Sequence, residues 1–364
     1  MQSTLLRYHH TIDTTLRAAI AQATERIPTH ALDAFYGQMQ YQLGWVDANL
    51  MPMESKTGKL LRPTLLLLAF EAAGAWKQFP VDPSDTTYLE RALPAAIALE
   101  LIHNFSLIHD DIEDGDTERR HRPTLWKIWG VPQAINTGDG MFCLARSTLW
   151  GVLEKGVEGI VAARLAETLD QATLTLAEGQ YLDISFESRQ DISVAMYIDM
   201  ISRKTAALMS CATKMGALLG TRDNETIQRL YSFGEAVGIA FQVRDDLLGV
   251  WATTAELGKT PAGDIYRRKK SLPILHALEN ANTRDQMLLR TIYQQTDPVT
   301  AQQVEEILAI MERTRTRAYC YSFLAQHCQL AHTKLASVPR QSHPLSVRAL
   351  HDLETLVLFI EAAT

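Results

Sequence analysis

Four carboxylates fall within five residues at Asp110, Asp111, Glu113 and Asp114, directly after the apolar run 99–109. Four apart, Asp110 and Asp114 share one helical face, with Asp111 and Glu113 around the side. Acids closing an apolar helix oppose its dipole and repel each other, so water or a cation must relieve them. A second pair, Asp245 and Asp246, follows the apolar stretch 236–241. Two such sets meeting across a cavity are tolerable only with cations between them. Hard oxygen donors, with no His or Cys at ligand spacing, favour Mg²⁺, which completes its shell with water and substrate phosphate. The bland alternative is a solvated acidic face, and the second pair weakens it.

The basic residues indicate what such ions would hold. Lys59 and Arg62, in Gly58-Lys-Leu-Leu-Arg-Pro63, open a helix with two cations one turn apart, and Arg119 and Arg120 follow Asp114. Lys204-Thr205 lies in a predicted helix, while Lys259 and the run 267–270 flank a Gly-Asp loop. Each cation alone is most often solvated. Beside paired acids in an apolar bundle they suggest two polyanions, one bridged by metal and one gripped by Arg and Lys. The expected ligand is a diphosphate with an apolar tail.

The elements that must position these groups are helices. No proline occurs between Pro132 and Pro261, and that stretch is rich in strong helix formers. Elsewhere prolines cut the chain at helix-length intervals, at Pro28, Pro52, Pro63, Pro80, Pro83, Pro298, Pro339 and Pro344. Apolar residues recur every three or four positions, as at Leu165, Leu169, Ala172 and Leu176, and alternating β-branched segments are missing. The segments 94–108 and 207–219 are apolar on most of their circumference and belong inside a bundle. The expected fold is all-α, a single helical domain over residues 1–364 around a central cavity.

Composition excludes other classes. The 364 residues are 46% hydrophobic and 21% charged, the balance of a chain with a large core. A net charge of −7 speaks against nucleic acid as the main partner. The longest apolar runs fall short of the ~20 residues that span a bilayer, and no signal peptide is evident. Four scattered cysteines, with no CxxC pair, read as reduced thiols in a cytoplasmic protein.

The residues now carry a resemblance. From about residue 30 to 340 the chain resembles a trans-isoprenyl diphosphate synthase of the polyprenyl synthetase family, with the motifs in the family's order. Asp110 to Asp114 is similar to the first aspartate-rich motif, DDxxD, and Asp245 to Gly249 resembles the second, with Gly249 replacing its last aspartate. Gly58-Lys59-x-x-Arg62-Pro63 matches the isopentenyl diphosphate motif, and His103 a further contact. The resemblance implies that Arg119 grips the allylic diphosphate and Arg120 the homoallylic one. Lys204, Thr205, Gln242, Lys259 and Lys269 match further allylic-diphosphate contacts. It also implies three Mg²⁺ ions with substrate bound, at Asp110, Asp111, Asp114 and Asp245, and a homodimer. A water or Asp264 is expected to fill the gap at Gly249, and His121 stands where the family often has glycine.

The implied reaction is head-to-tail condensation of isopentenyl diphosphate with an allylic diphosphate. Asp110, Asp114, Arg119, Lys204, Asp245 and Lys269 would carry the catalysis, and the basic loop 263–270 is expected to act as a lid. Phe105 and Ser106, five and four residues before Asp110, should face the growing tail and set product length. An aromatic followed by a small residue resembles one type of C20 geranylgeranyl diphosphate synthase, with C15 farnesyl diphosphate next.

Rivals are weaker. Glu100-x-x-His103 is half of a di-iron site, but its only companion, Glu118-x-x-His121, lies in a loop-like stretch. His109-Asp110 suggests a metal phosphohydrolase on one pair alone. A class I terpene cyclase need not bind isopentenyl diphosphate, whereas Lys59, Arg62 and His103 are all present. Intact aspartates in the first motif argue against a non-catalytic synthase subunit.

Overall fold

The computed structural model describes residues 2–25, 30–54, 58–74, 87–252 and 262–362. Its chain divides into two compact units. The first comprises Met1–Leu174, Leu208–Gly234 and Leu335–Thr355; the second comprises Thr175–Ala207, Glu235–Lys334 and Leu356–Thr364. Among the described residues no helix is long and apolar enough to cross a membrane.

The helices of the first unit begin with α1 (Gln2–Glu25), α2 (Asp33–Gln42), α3 (Leu61–Ala73) and α4 (Leu93–Glu113). Prolines also start helices. Pro94 occupies the first turn of α4, where a missing N–H costs nothing. From Leu93 to Ile102 every residue of α4 except Pro94 is buried, so the helix runs through the core as its all-round apolar sequence requires. Each fully buried Leu or Ile there contributes about 1.5–3 kcal/mol. α4 ends in a Schellman turn. Gly115 takes the left-handed conformation (φ 67°), and Asp116 N–H donates to the Asp111 carbonyl at 2.9 Å.

The fold is all-α, with one short hairpin among the described residues. Strands β1 (Glu118–Arg119) and β2 (Arg122–Pro123) form a two-residue hairpin whose turn, Arg120-His121, has φ of 54° and 60°. Such a turn favours glycine or asparagine, which explains why sequence signals missed it. Helices α5 (Leu125–Trp129) and α6 (Val131–Leu149) follow, and α6 packs broadly on α4. α1 is fastened through the fully buried Glu71 of α3, which accepts from Tyr8 at 2.9 Å, from Tyr88 at 2.6 Å and from Arg348.

α7 (Gly159–Ser188) runs for 30 residues, as the proline-free stretch predicts. In the second unit α8 (Val194–Ile201) passes into a five-residue π-helix, Ser202–Ala206, and then the chain enters α9 (Ala207–Gly220). α10 (Asn224–Trp251) carries the second aspartate pair, and α11 (Gly263–Tyr266) is a single turn. The remaining helices are α12 (Leu272–Asn280), α13 (Thr283–Gln294), α14 (Ala301–Arg313), α15 (Thr316–Ala336) and α16 (Pro344–Glu361). The core of the second unit gathers Val250, Ile265, Ile274, Leu289, Ile307 and Ile310.

Candidate functional site

In the first unit the acids stand at the C-terminal end of α4, where the helix dipole is negative and a cation is favoured. Asp110 is half-buried, Asp114 exposed and Asp111 buried. The Arg119 Nε donates to Asp111 at 2.6 Å and its Nη2 to Asp110 at 3.2 Å. Burial lifts the Asp111 carboxyl to about 6 against the attraction of Arg119. One Asp111 oxygen is buried without a hydrogen-bond partner. The Asp111 backbone carbonyl is also engaged, accepting from the Trp126 indole at 2.9 Å.

One turn and more back along α4, Arg62 donates to His103 Nε2 at 3.0 Å. A guanidinium cannot accept, so His103 must be neutral there, with its proton on Nδ1. Burial, and then Arg62, Arg120 and Arg119, hold His103 well below its ordinary value. Glu100 is the buried counter-charge. Burial raises its carboxyl, while Arg62, the Asn104 amide at 2.9 Å and Arg120 pull the other way. Burial likewise lowers the proton affinity of Arg62 and Arg120, and Arg120 is further lowered by Arg119.

The hairpin aims the arginines. Arg122 donates to the carbonyls of Tyr41 (3.1 Å) and Val46 (2.6 Å), and its guanidinium lies 3.9 Å from the Tyr41 ring centroid. A Cβ on Gly58 would lie 2.7 Å from a nitrogen at the tip of the Arg120 side chain, so the bare glycine lets that guanidinium come close. Lys59 is exposed. A cavity of about 30 Å³ touches Asp111, Arg119 and Arg120, enough for water and too small for a diphosphate.

In the second unit Asp246 is the hub. It is fully buried and accepts from the Tyr197 hydroxyl, from Gln242 Nε2 at 3.1 Å and from Leu272 N–H at 3.3 Å. Lys269 Nζ lies 3.6 Å away. Burial raises the Asp246 carboxyl against the pull of Lys269, while Lys269 is desolvated yet held above its ordinary value by Asp246 and Asp264. Thr205 donates to Gln242 at 2.9 Å and Lys204 pairs with Asp183 at 2.6 Å. Asp245 is exposed.

At Gly249 the gap is filled by protein. A Cβ there would lie 2.3 Å from an oxygen of Asp264, so that carboxylate occupies the volume a longer side chain would need. Asp264 pairs with Arg267 at 3.0 Å and lies 3.9 Å from Lys269.

The segment expected as a lid is pinned instead. Arg268 donates to the Ile292 carbonyl at 3.0 Å, and Lys270 donates to the carbonyls of Phe186 and Glu187, both at 2.8 Å. Backbone acceptors at a helix end outcompete solvent for these cations. Lys259 lies outside the described residues. Phe105 packs edge-on against His109 and, at 5.4 Å between centroids, against Phe142 of α6. The Ser106 hydroxyl donates to the His103 carbonyl at 2.8 Å.

The rival constellations do not assemble. Glu118 and His121 sit on the hairpin and not on a helix, so the second half of a di-iron site is missing. His109 turns towards α6, with Nε2 3.7 Å from Asp139. Asp183, Tyr197 and Phe142 had no sequence signal, because their roles arise from residues distant in the chain, and Glu100 stood out only as half of a di-iron pattern. A second cavity, about 280 Å³, is lined by Arg189, Lys270, Arg290 and Tyr293 and contains none of the residues expected to bind substrate.

Among the described residues no three acidic, His or Cys side chains are gathered to hold a metal alone. The donor set suits Mg²⁺ nevertheless, since that ion takes one or two carboxylates and completes its octahedron with water and phosphate. The unpartnered Asp111 oxygen and the acids at the negative end of α4 fit such an ion.

The chain matches the polyprenyl synthetase family over residues 44–311. It is 36% identical over 304 residues to a (2E,6E)-farnesyl diphosphate synthase of Mycobacterium tuberculosis, covering 84% of this chain and 77% of that one. It is 37% identical over 272 residues to a geranylgeranyl diphosphate synthase of the same organism, covering 75% and 73%. A polyprenyl synthetase from Streptomyces coelicolor A3(2) superposes with a TM-score of 0.84 at 33% identity, over 98% of both chains.

Proposed function

We propose a reaction for this chain on one premise: it belongs to the polyprenyl synthetase family. It is a transferase, a short-chain trans-prenyltransferase, that joins isopentenyl diphosphate head to tail to an allylic diphosphate. The observation that carries this reading is the arginine cluster of the first unit. Arg62, Arg119 and Arg120 lie close enough to lower the proton affinity of His103 together, with the buried Glu100 between Arg62 and Arg120 and the buried Asp111 against Arg119. Such a cluster is relieved by a polyanion.

Lys59, Arg62, His103 and Arg120 bind and orient isopentenyl diphosphate. Arg119, Lys204, Thr205, Gln242, Lys259 and Lys269 hold the allylic diphosphate. The neutral His103, its Nε2 taken by Arg62, offers Nδ1–H as a donor to a phosphate oxygen. Asp110, Asp111, Asp114 and Asp245 would hold Mg²⁺, which when bound polarises the leaving diphosphate. The allylic carbon–oxygen bond breaks, and Arg119, Lys204 and Lys269 stabilise the charge that moves onto the diphosphate. The isopentenyl double bond forms the new carbon–carbon bond, and the proton lost from that unit departs with the diphosphate. Apolar walls exclude water from the carbocation. Residues 1–364 act as a single functional domain.

The product is C20 geranylgeranyl diphosphate, with C15 the next length. Phe105, packed on Phe142, supports a stop set by aromatic bulk. Phe105→Ala should lengthen the product, and unchanged length on chromatography would refute that role. Two copies of the chain assemble as a homodimer, for which the exposed Val131 and Ile135, on one face of α6, supply apolar surface. Four free thiols suit a cytoplasmic setting.

The test is to incubate pure protein with Mg²⁺, isopentenyl diphosphate and C5, C10 or C15 allylic diphosphates and to size the products. Elongation to C20 is expected. No elongation with any starter overturns the reading.

A further inference from the structure

α7 meets the π-helix at one glycine. A Cβ built on Gly179 would lie 2.3 Å from Lys204 N, 2.7 Å from Lys204 Cα and 2.8 Å from the Arg203 carbonyl carbon. All three are backbone atoms, so no side chain can swing aside. The residues around Gly179 on α7 close the same contact from both sides. Glu178 pairs with Arg203 at 2.7 Å, and Asp183 pairs with Lys204 at 2.6 Å. Arg203 is further tied to Asp199 of α8 at 3.0 Å.

The π-helix is what needs this support. Such turns are rare, have weaker hydrogen bonding than an α-helix and persist where neighbours hold them. This one contains Lys204 and Thr205, and Thr205 begins the chain of hydrogen bonds through Gln242 to Asp246. Its backbone position therefore fixes where the Lys204 ammonium and the Thr205 hydroxyl stand.

We infer that Gly179 is a positioning residue for the allylic-diphosphate contacts: lacking a side chain, it lets α7 seat the π-helix so that Lys204 and Thr205 reach their ligand. The inference rests on the prenyltransferase reading and extends it to a residue outside the motifs. A Cβ needs about 3.4 Å from backbone, so alanine would force the π-helix outward by about 1 Å. A displacement of that size in a binding group costs roughly a hundredfold.

The test compares wild type with Gly179→Ala and Arg203→Ala. Wild-type elongation activity is measured first; its absence overturns the prenyltransferase reading, and the inference with it. In an active wild type, Gly179→Ala should lower kcat/KM for the allylic diphosphate about a hundredfold while KM for isopentenyl diphosphate stays within twofold. Thermal stabilisation by Mg²⁺ with inorganic diphosphate should weaken in parallel. Gly216→Ala serves as the scaffold control, since its Cβ would lie 2.1 Å from the Leu66 carbonyl in the first unit. An equal rise in both KM values for Gly179→Ala, or the same allylic-selective loss in Gly216→Ala, overturns the inference. If Gly179→Ala does not fold by circular dichroism, Arg203→Ala decides. That variant removes two exposed pairs and should raise the allylic KM about threefold; an unchanged allylic KM overturns the inference.

Discussion

In the first unit Arg62 and Arg120 share one Glu100 while Arg119 alone takes Asp110 and Asp111, whereas the second unit has matched its lysines to carboxylates. Arg62 and Arg120 face one buried Glu100, and burial lowers the proton affinity of both. Lys204 and Lys269, by contrast, pair with Asp183, Asp246 and Asp264. Charge left uncompensated draws an incoming anion. Charge already paired holds a shape and must exchange partners when ligand arrives. On the proposed function, the first centre captures and the second holds fixed geometry.

Four substitutions sharpen or break that contrast. The largest effect belongs to Asp110→Asn, which should reduce kcat roughly a thousandfold with little change in melting temperature, because Asp110 is half-buried and at a helix end. Asp246→Asn should do the reverse in emphasis. It removes the charge of a fully buried carboxyl that pairs with the part-exposed Lys269 and accepts three hydrogen bonds, and about 2 kcal/mol of stability should be lost, seen as a lowered melting temperature before any kinetic assay. Equal stability losses in both variants would erase the distinction.

Asp111 gives a pH signature of the first centre. Its carboxyl is lifted from an ordinary 3.8 to about 6, chiefly by burial. The folded state therefore holds the Asp111 proton more tightly than the unfolded chain. The stability this adds is complete below pH 3.8 and is lost as pH rises through about 6. Asp111→Asn has nothing to titrate, so the wild type should lose stability relative to the variant between pH 4 and pH 7. Parallel melting curves across that range would contradict the environment assigned to Asp111. The smallest effect is expected at His121, whose φ of 60° suits glycine. His121→Gly should raise stability by about 1 kcal/mol, without altering turnover.

What could be read from the sequence was what depends on neighbours along the chain. α4 was legible because Pro94, an unbroken apolar run and a terminal acid cluster lie in one stretch. The long α7 and α10 were legible because proline is absent from them. The arginine turn was not, since Arg120 and His121 adopt left-handed angles without the glycine or asparagine that would announce them. The π-helix was invisible for a similar reason: Ser202 to Ala206 would suit an ordinary α-helix, and packing against Gly179 accompanies the wider turn. Asp183 carried no signal and Glu100 read only as half of a di-iron pattern, because the cations beside them come from distant segments. Asp264 lies between these cases. It was nameable as a substitute for the missing acid at 249, but only the fold shows its carboxylate where that side chain would be.

That filled volume has a consequence for engineering. With the cavity beside position 249 taken, restoring aspartate there would drive a second anion into the same volume, and the intermediate would be worse than either endpoint. Losing Asp264 first would strand Lys269 and Arg267 with fewer counter-charges. An acid at 249 therefore demands a paired replacement at 264, because these two positions, not adjacent in the chain, share one volume.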